Sequence, residues 1–147
     1  MQIRESVQNL TRDPVSKMLL TNSQLTLTQV ETLITDSLTS NVAVKRSQKR
    51  MFRPSKARIS RGAYNRTLIQ AQNNVIRSIF TILLLGYLEL FDSASLQPFL
   101  ELSDTIHSYV QEAKSSGNKR SVAEQLKPRL FEFASALARR ESFKDRL

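Results

Sequence analysis

One stretch of the chain, Lys45 to Leu88, changes from strongly basic to strongly apolar without a break in pattern. Its first half contains KRSQKRMFRPSKARISRGAYNR, and its second half contains LIQAQNNVIRSIFTILLLGYL. The first half is stable only in water or beside negative charge, whereas the second half favours surroundings without water. We expect one long helix to join these two halves, and the fold must keep their surroundings apart.

The positive charge of the protein is concentrated in the same window. No Asp or Glu occurs between Asp36 and Glu89, although ten of the 22 Lys and Arg residues lie there. The other twelve basic residues are balanced by 13 acidic ones, so the net charge of +9 belongs to this window. A solvated helix face usually mixes both signs, because like charges repel. The pattern predicts a polyanionic partner, and the alternative is a disordered basic linker over residues 45–58.

The composition and the hydrophobic spacing favour an all-α fold. A chain of 147 residues is long enough for one domain with a core, and its three Gly and four Pro are too few for the turns of a β-sandwich. No run of alternating strand residues occurs. We predict a single helical domain of about five to six helices around one long central helix. It would have a basic part at residues 41–77 and a core or dimerisation part at residues 78–147.

Capping signals place the first helices. Asp13 before Pro14 predicts a helix start, because Asp caps a helix and Pro fits its first turn. Thr28 with Glu31 makes a capping box, and Thr26 with Gln29 offers an alternative register. This helix would bury the stripe Val30, Leu33, Ile34 and Leu38. A further helix over residues 42–53 would turn Val42, Ala43, Met51 and Phe52 inward.

The central helix is predicted to start at Ser60, a suitable N-cap. At helical spacing, its inner face would hold Tyr64, Leu68, Ala71, Val75, Ile79 and Ile82. From Ile79 to Leu85 the segment is apolar on every side, which predicts the centre of a core, shared by two subunits. A membrane span needs about 20 apolar residues, so this run is too short to cross a bilayer.

Two further helices are predicted in the C-terminal third, separated by a loop at residues 115–118. Ser121 and Glu124 form a capping box at the start of the last helix. The two helices would bury apolar stripes consisting of Phe99, Leu102, Ile106, Tyr109 and Val110, and of Leu126, Leu130, Phe133 and Leu137.

The sequence offers little for catalysis or cofactor binding. His107 is the only histidine and there is no cysteine, so His-based and thiolate metal sites have almost no ligands. No glycine-rich phosphate-binding motif occurs. We expect a protein that is not an enzyme and has no cofactor. The N-terminus lacks the apolar segment of a signal peptide, and the absence of cysteine is compatible with a reducing compartment, which predicts a cytoplasmic location.

The front of the central helix is the candidate site. Arg pairs with guanine through two hydrogen bonds, and Gln or Asn pairs with adenine, so Arg61, Arg66, Gln70 and Asn73 suit contact with a DNA major groove. The basic residues before the helix would bind the phosphate backbone. If about six of them do, the log–log slope of affinity against salt is near −5. The complete candidate set is Lys45, Arg46, Lys49, Arg50, Arg53, Lys56, Arg58, Arg61, Tyr64, Asn65, Arg66, Gln70, Asn73 and Arg77.

Residues 41–74 resemble a helix-turn-helix unit. NVAVKRSQKRMF corresponds to the supporting helix, RPSKARIS to the turn and RGAYNRTLIQAQNN to the recognition helix. The connector is longer than the usual turn of about three to four residues. The resemblance implies a transcriptional regulator or chromatin-associated factor that binds double-stranded DNA. It would be a homodimer formed through the Ile79–Leu85 region and the C-terminal helices, and it would associate with the nucleoid.

Two other functions remain open. RNA or a ribonucleoprotein is the first, although readers of single strands stack bases on aromatic rings and the basic window holds only Phe52 and Tyr64. The second is a protein-interaction or peripheral membrane module, in which the basic run binds acidic protein or anionic lipid.

Overall fold

The computed structural model of the chain is all-α, as predicted, and describes residues 2–45, 47–55, 59–88, 90 and 96–138. It contains six α-helices and one short 3-10 helix, and no strand occurs among the described residues. The helices are α1 (Gln2–Arg12), α2 (Pro14–Thr21), α3 (Leu27–Thr39), α4 (Arg61–Tyr87), α5 (Leu96–Ser116) and α6 (Lys119–Ala138), and the 3-10 helix is Lys49–Phe52. The chain forms two compact units, Met1–Ser78 and Ile79–Leu147.

The starts of α2 and α3 follow from local capping chemistry. The Asp13 carboxylate accepts hydrogen bonds from the backbone N–H groups of Val15 and Ser16, which confirms the predicted start of α2. At α3, the capping box uses the alternative register: Thr26 Oγ1 accepts from Gln29 N at 3.2 Å, and Gln29 Oε1 accepts from Thr26 N at 3.0 Å. Glu31 therefore takes no part in the cap and lies in the interior.

The buried face of α3 differs from the predicted one. Its fully buried residues are Glu31, Thr32, Thr35 and Thr39, whereas Leu38 is exposed and the other apolar residues of the predicted stripe are half-buried. The hydroxyls of the three threonines donate to the backbone carbonyls four residues earlier, each at 2.7 Å. A threonine whose hydroxyl is satisfied within its own helix presents a methyl group to the core at little cost. This explains how a polar-looking stripe packs against α1, where Val7 and Thr11 are buried.

The helix predicted over residues 42–53 is wrong. The described residues there form turns and the 3-10 helix Lys49–Phe52, while Val42, Ala43 and Met51 are exposed and Phe52 is half-buried. Like charges four residues apart, such as Lys45 with Lys49, oppose a helix in this segment.

The long helix α4 starts as predicted, directly after Ser60, and ends at Tyr87. The Ser60 hydroxyl accepts from Ala63 N at 3.1 Å and caps the helix. Asn74 Nδ2 donates to Gln29 Oε1 at 3.4 Å, which joins α4 to the start of α3. The inner-face prediction holds as far as Ala71: Tyr64 and Ala71 are buried and Leu68 is half-buried.

The second half of α4 is not buried by the described residues of its own chain, and its sharing by two subunits stays a prediction. Val75, Ile79 and Ile82 are exposed, and within Ile79–Leu85 only Leu85 is half-buried. No other described segment covers these side chains, so within the described part of one chain the apolar run is not the centre of a core.

In the second unit, α5 packs on α6. The loop between them contains Gly117 in the left-handed region at φ 73°, a conformation that glycine adopts without strain. Asn118 caps α6 by accepting from Ser121 N at 3.3 Å, so the helix starts two residues before the predicted capping box. Leu126 is buried as predicted, and Leu130 and the stripe from Leu102 to Val110 are half-buried, while Phe99, Phe133 and Leu137 lie outside the described side chains.

Candidate nucleic-acid interface

The connector between α3 and α4 is fixed to the first unit by polar contacts. Ser55 donates to the Glu31 carboxylate from its hydroxyl and, at 3.3 Å, from its backbone N–H. The Arg50 guanidinium donates to the Ile59 carbonyl oxygen at 2.6 Å. The Ser55 bonds join the middle of the connector to α3, and the Arg50 bond joins its 3-10 helix to Ile59, two residues before the start of α4.

Lys49 forms an ion pair that also joins the connector to α3. Its Nζ lies 2.7 Å from Asp36 Oδ1 on α3, and its side chain is only 15% exposed. A lysine paired with a carboxylate at this distance has its charge largely compensated. Lys49 therefore adds little to the external field that sequence counting attributes to it.

Arg53 and Tyr64 are the two candidate residues that the structure places inside. They are 1% and 2% exposed. Burial lowers the pKa of Arg53, and the Glu31 carboxylate opposes this effect. Burial also raises the pKa of Tyr64 to about 12, with a further contribution from Asp36. The prediction that these two side chains contact a nucleic acid is wrong for this conformation, because neither reaches the surface.

The outer side of α4 in the first unit carries three of the candidates. Arg66, Gln70 and Asn73 are exposed and lie across the helix from Tyr64 and Ala71, as 3.6 residues per turn requires. The structure thus brings together an arginine and two amides on one accessible face, as the sequence predicted.

The other candidates divide by exposure. Arg61, at the first residue of α4, and Lys45, in the preceding segment, are exposed, and so is Arg77. Asn65 is half-buried. Arg46, Lys56 and Arg58 lie outside the described residues. Of the ten cations in the basic window, Lys45, Arg61, Arg66 and Arg77 are thus described as exposed.

The roles of Glu31 and Asp36 in holding the connector were not predicted from the sequence. Glu31 was assigned to a capping box, and Asp36 was only the acidic boundary of the basic window. The available signal was the helical spacing of Thr28, Thr32, Thr35 and Thr39, which share one side of α3 with Glu31. Recognising that side as internal would have placed a carboxylate in the core and therefore predicted a buried cation as its partner.

The second half of α4 is exposed and apolar. By length and composition, this one helix could cross a membrane. That is weak evidence, since core helices of soluble proteins meet the same criteria, and only the described residues are covered by it. Arg77 lies within the helix, and the uncharged run from Ser78 to Leu88 is eleven residues long, well below the ~20 that a span needs.

Comparison with known proteins adds no family or relative: no protein-family model, no curated protein and no solved structure matches this chain.

Proposed function

We propose that this protein binds duplex DNA through the N-terminal turns of α4. The observation that carries the proposal is the exposed set Arg61, Arg66, Gln70 and Asn73, presented on a helix whose start is fixed by the connector contacts. Two cations and two amides on one accessible helix are suited to phosphate and base-edge contact in a major groove.

The electrostatics of the first unit support a polyanion as the partner. The acid-free window contributes the whole net charge, and the carboxylates nearest to it, Glu31 and Asp36, are turned inward or paired. The outward field at the front of α4 is therefore positive. Such a field increases the rate of association with DNA and makes affinity depend on salt.

Duplex DNA is favoured over single-stranded RNA because the aromatic residues are not available. Tyr64 is buried and Phe52 is half-buried, so neither offers an open ring for base stacking. A double-stranded RNA helix has a major groove too narrow for side chains to enter. The proposed role is that of a transcriptional regulator or chromatin-associated factor. Of the helix-turn-helix unit, only the second helix has a counterpart among the described residues, the start of α4.

The test is a titration with a labelled duplex at about 50 and 200 mM salt. If Lys45, Arg61 and Arg66 each contact one phosphate, the log–log slope is about −2.7 per chain, and affinity falls about 40-fold between the two conditions. The described residues thus supply about half of the six contacts estimated from sequence. Binding that is indifferent to salt contradicts the proposal.

A matched pair of double variants locates the surface. Arg61→Gln with Arg66→Gln removes two charges from α4 and should make the slope shallower by about 1.8. Arg4→Gln with Lys17→Gln removes the same charge from exposed positions on α1 and α2, and it should leave the slope unchanged. Equal effects of the two pairs would show that only net charge matters. Competition by unlabelled duplex RNA as strong as that by duplex DNA would favour the RNA alternative.

A further inference from the structure

A regular seam of side chains runs along the outer side of α4. In the first unit it consists of Ile69, Asn73 and Ile76, all exposed. In the second unit it continues in the same helix with Phe80, Leu83 and Tyr87, also exposed. The spacing between successive members alternates four and three residues throughout. This is the heptad pattern of a two-stranded coiled coil, with Asn73, Phe80 and Tyr87 at a positions and Ile69, Ile76 and Leu83 at d positions.

The opposite side of the helix shows that the seam faces away from its own chain. Heptad f positions, across the helix from a and d, are occupied by Tyr64, Ala71 and Ser78 in the first unit and by Leu85 in the second. Tyr64 and Ala71 are buried, Ser78 is exposed, and Leu85 is half-buried. In the N-terminal turns of α4 the buried side is therefore the side a coiled coil leaves free, and the same side holds the one half-buried residue of the Ile79–Leu85 run.

The exposed apolar area is that of an interface. In the second unit alone, five large apolar side chains of α4 at a, d, e and g positions are between 52% and 84% exposed. At roughly 200 Å² for each side chain, they present on the order of 600 Å². This equals the largest patch of a typical monomer, roughly 300–600 Å². The exposed Ile69 and Ile76 of the same seam extend it toward the ~800 Å² that each partner contributes to a stable complex.

We propose that α4 pairs with α4 of a second copy of this chain, as a parallel two-stranded coiled coil over Ile69–Tyr87. A second copy fits because the seam is complementary to itself. In a parallel pair Asn73 meets its counterpart, and an asparagine at one a position specifies register and two strands. The flanking e and g positions are Gln70, Gln72, Arg77, Ile79, Leu84 and Gly86, so the chain places no row of like charges across the interface.

The pairing ends before the basic front of the helix. Continuing the register places Gly62 and Arg66 at d and a, where a glycine gives no packing and an unpaired buried arginine is costly. The two helices therefore separate before Ile69, and Asn73 lies inside the pair. This dimer goes beyond the proposed DNA binding and does not depend on it. If both hold, contact with DNA falls mainly to Arg61 and Arg66.

Sedimentation of the full-length protein without nucleic acid tests the pairing. The wild type should sediment with twice the monomer mass of 16.8 kDa at micromolar concentration. Leu83→Glu, at the centre of the seam, should weaken the dimer at least 100-fold. Ile82→Glu adds the same charge at an exposed apolar position outside the seam and should leave the dimer intact. Circular dichroism of both variants identifies any loss of helix formation.

Cysteine variants test the orientation, since the chain has no natural cysteine. In the parallel pair, Ile76→Cys and Tyr87→Cys should each form a disulfide with its own counterpart on oxidation. Ile82→Cys, outside the seam, should not. Crosslinks that form only between the Ile76→Cys and Tyr87→Cys chains, when the two are mixed, would overturn the parallel arrangement.

Other occupants of the seam give different results. A monomeric wild type, or a dimer that Leu83→Glu and Ile82→Glu weaken equally, would overturn the proposal. Flotation of a monomeric wild type with anionic lipid vesicles, lost in Leu83→Glu, would assign the surface to a membrane instead. None of these measurements includes DNA, so their failure is distinguishable from failure of the proposed function.

Discussion

Glu31 and Arg53 are charged residues that lie in the interior instead of at the surface. Each is at least 98% buried, and burial of a charge is costly unless an opposite charge accompanies it. Glu31 also accepts both hydrogen bonds from Ser55. An arginine that a count of cations assigns to the DNA-binding surface thus belongs to the interior that supports it.

Neutralising Glu31 should destabilise the first unit. Glu31→Gln keeps the shape but removes the carboxylate that favours the buried Arg53 cation and accepts both Ser55 hydrogen bonds, at a cost of about 1–3 kcal/mol. The free energy of unfolding from urea titration measures this cost. Glu5→Gln, an exposed acid on α1, provides the control and should change it by less than about 0.5 kcal/mol. Equal stability of the two variants would contradict a compensating role for Glu31.

Tyr64 should make the protein sensitive to alkaline pH. Because its folded-state pKa is raised to about 12, the neutral phenol is favoured in the native state. Its contribution, about 2–3 kcal/mol, is complete below the unfolded pKa of about 10 and is lost as the pH rises through about 12. Tyr64→Phe should remove this part of the pH dependence of unfolding, and Tyr87→Phe, a substitution on the exposed end of α4, should retain it. Identical alkaline profiles for both variants would exclude the role of the buried hydroxyl.

At the scale of elements, local chemistry was predictable and burial was not. The caps at Asp13 and Ser60 depend on residues a few positions apart, so the sequence indicates them directly. The buried threonine side of α3 depends on hydroxyl bonds within the helix and on packing against α1, which residue polarity conceals. The connector depends on contacts such as Glu31 to Ser55, 24 residues apart, for which the sequence has no periodic signal.

The cations of the basic window differ in whether a carboxylate of the same chain compensates their charge. Lys49→Gln removes a charge already compensated by Asp36, so the salt dependence of DNA binding should be almost unchanged. Arg66→Gln removes an exposed charge on α4 and should make the slope shallower by about 0.9. Titrations at several salt concentrations compare the two. A larger effect of Lys49→Gln, with helix content intact, would mean that the Asp36 pair opens to bind phosphate.

At the scale of the whole molecule, α4 belongs to both compact units and carries a different property in each. In the first unit it presents Arg61 and Arg66, and in the second it presents an apolar surface that one chain leaves open. The sequence predicted this division, because it is a change of composition along one helix. It could not predict that the apolar part lies exposed, since an apolar run is equally compatible with a core and with an interface.

Joining the two proposals gives a prediction that neither makes alone. If paired α4 helices present two basic ends to one duplex, Leu83→Glu removes the second end although it lies 17 residues from Arg66. The log–log salt slope should then fall to about half of the dimer value, since each chain contributes its own phosphate contacts. Affinity for a long duplex should fall about 100-fold or more, as expected when two linked contacts become one. Arg66→Gln instead weakens both ends of an intact dimer, so sedimentation separates the two causes. A Leu83→Glu monomer that retains the full slope would show that one chain makes all the DNA contacts and that pairing serves another purpose.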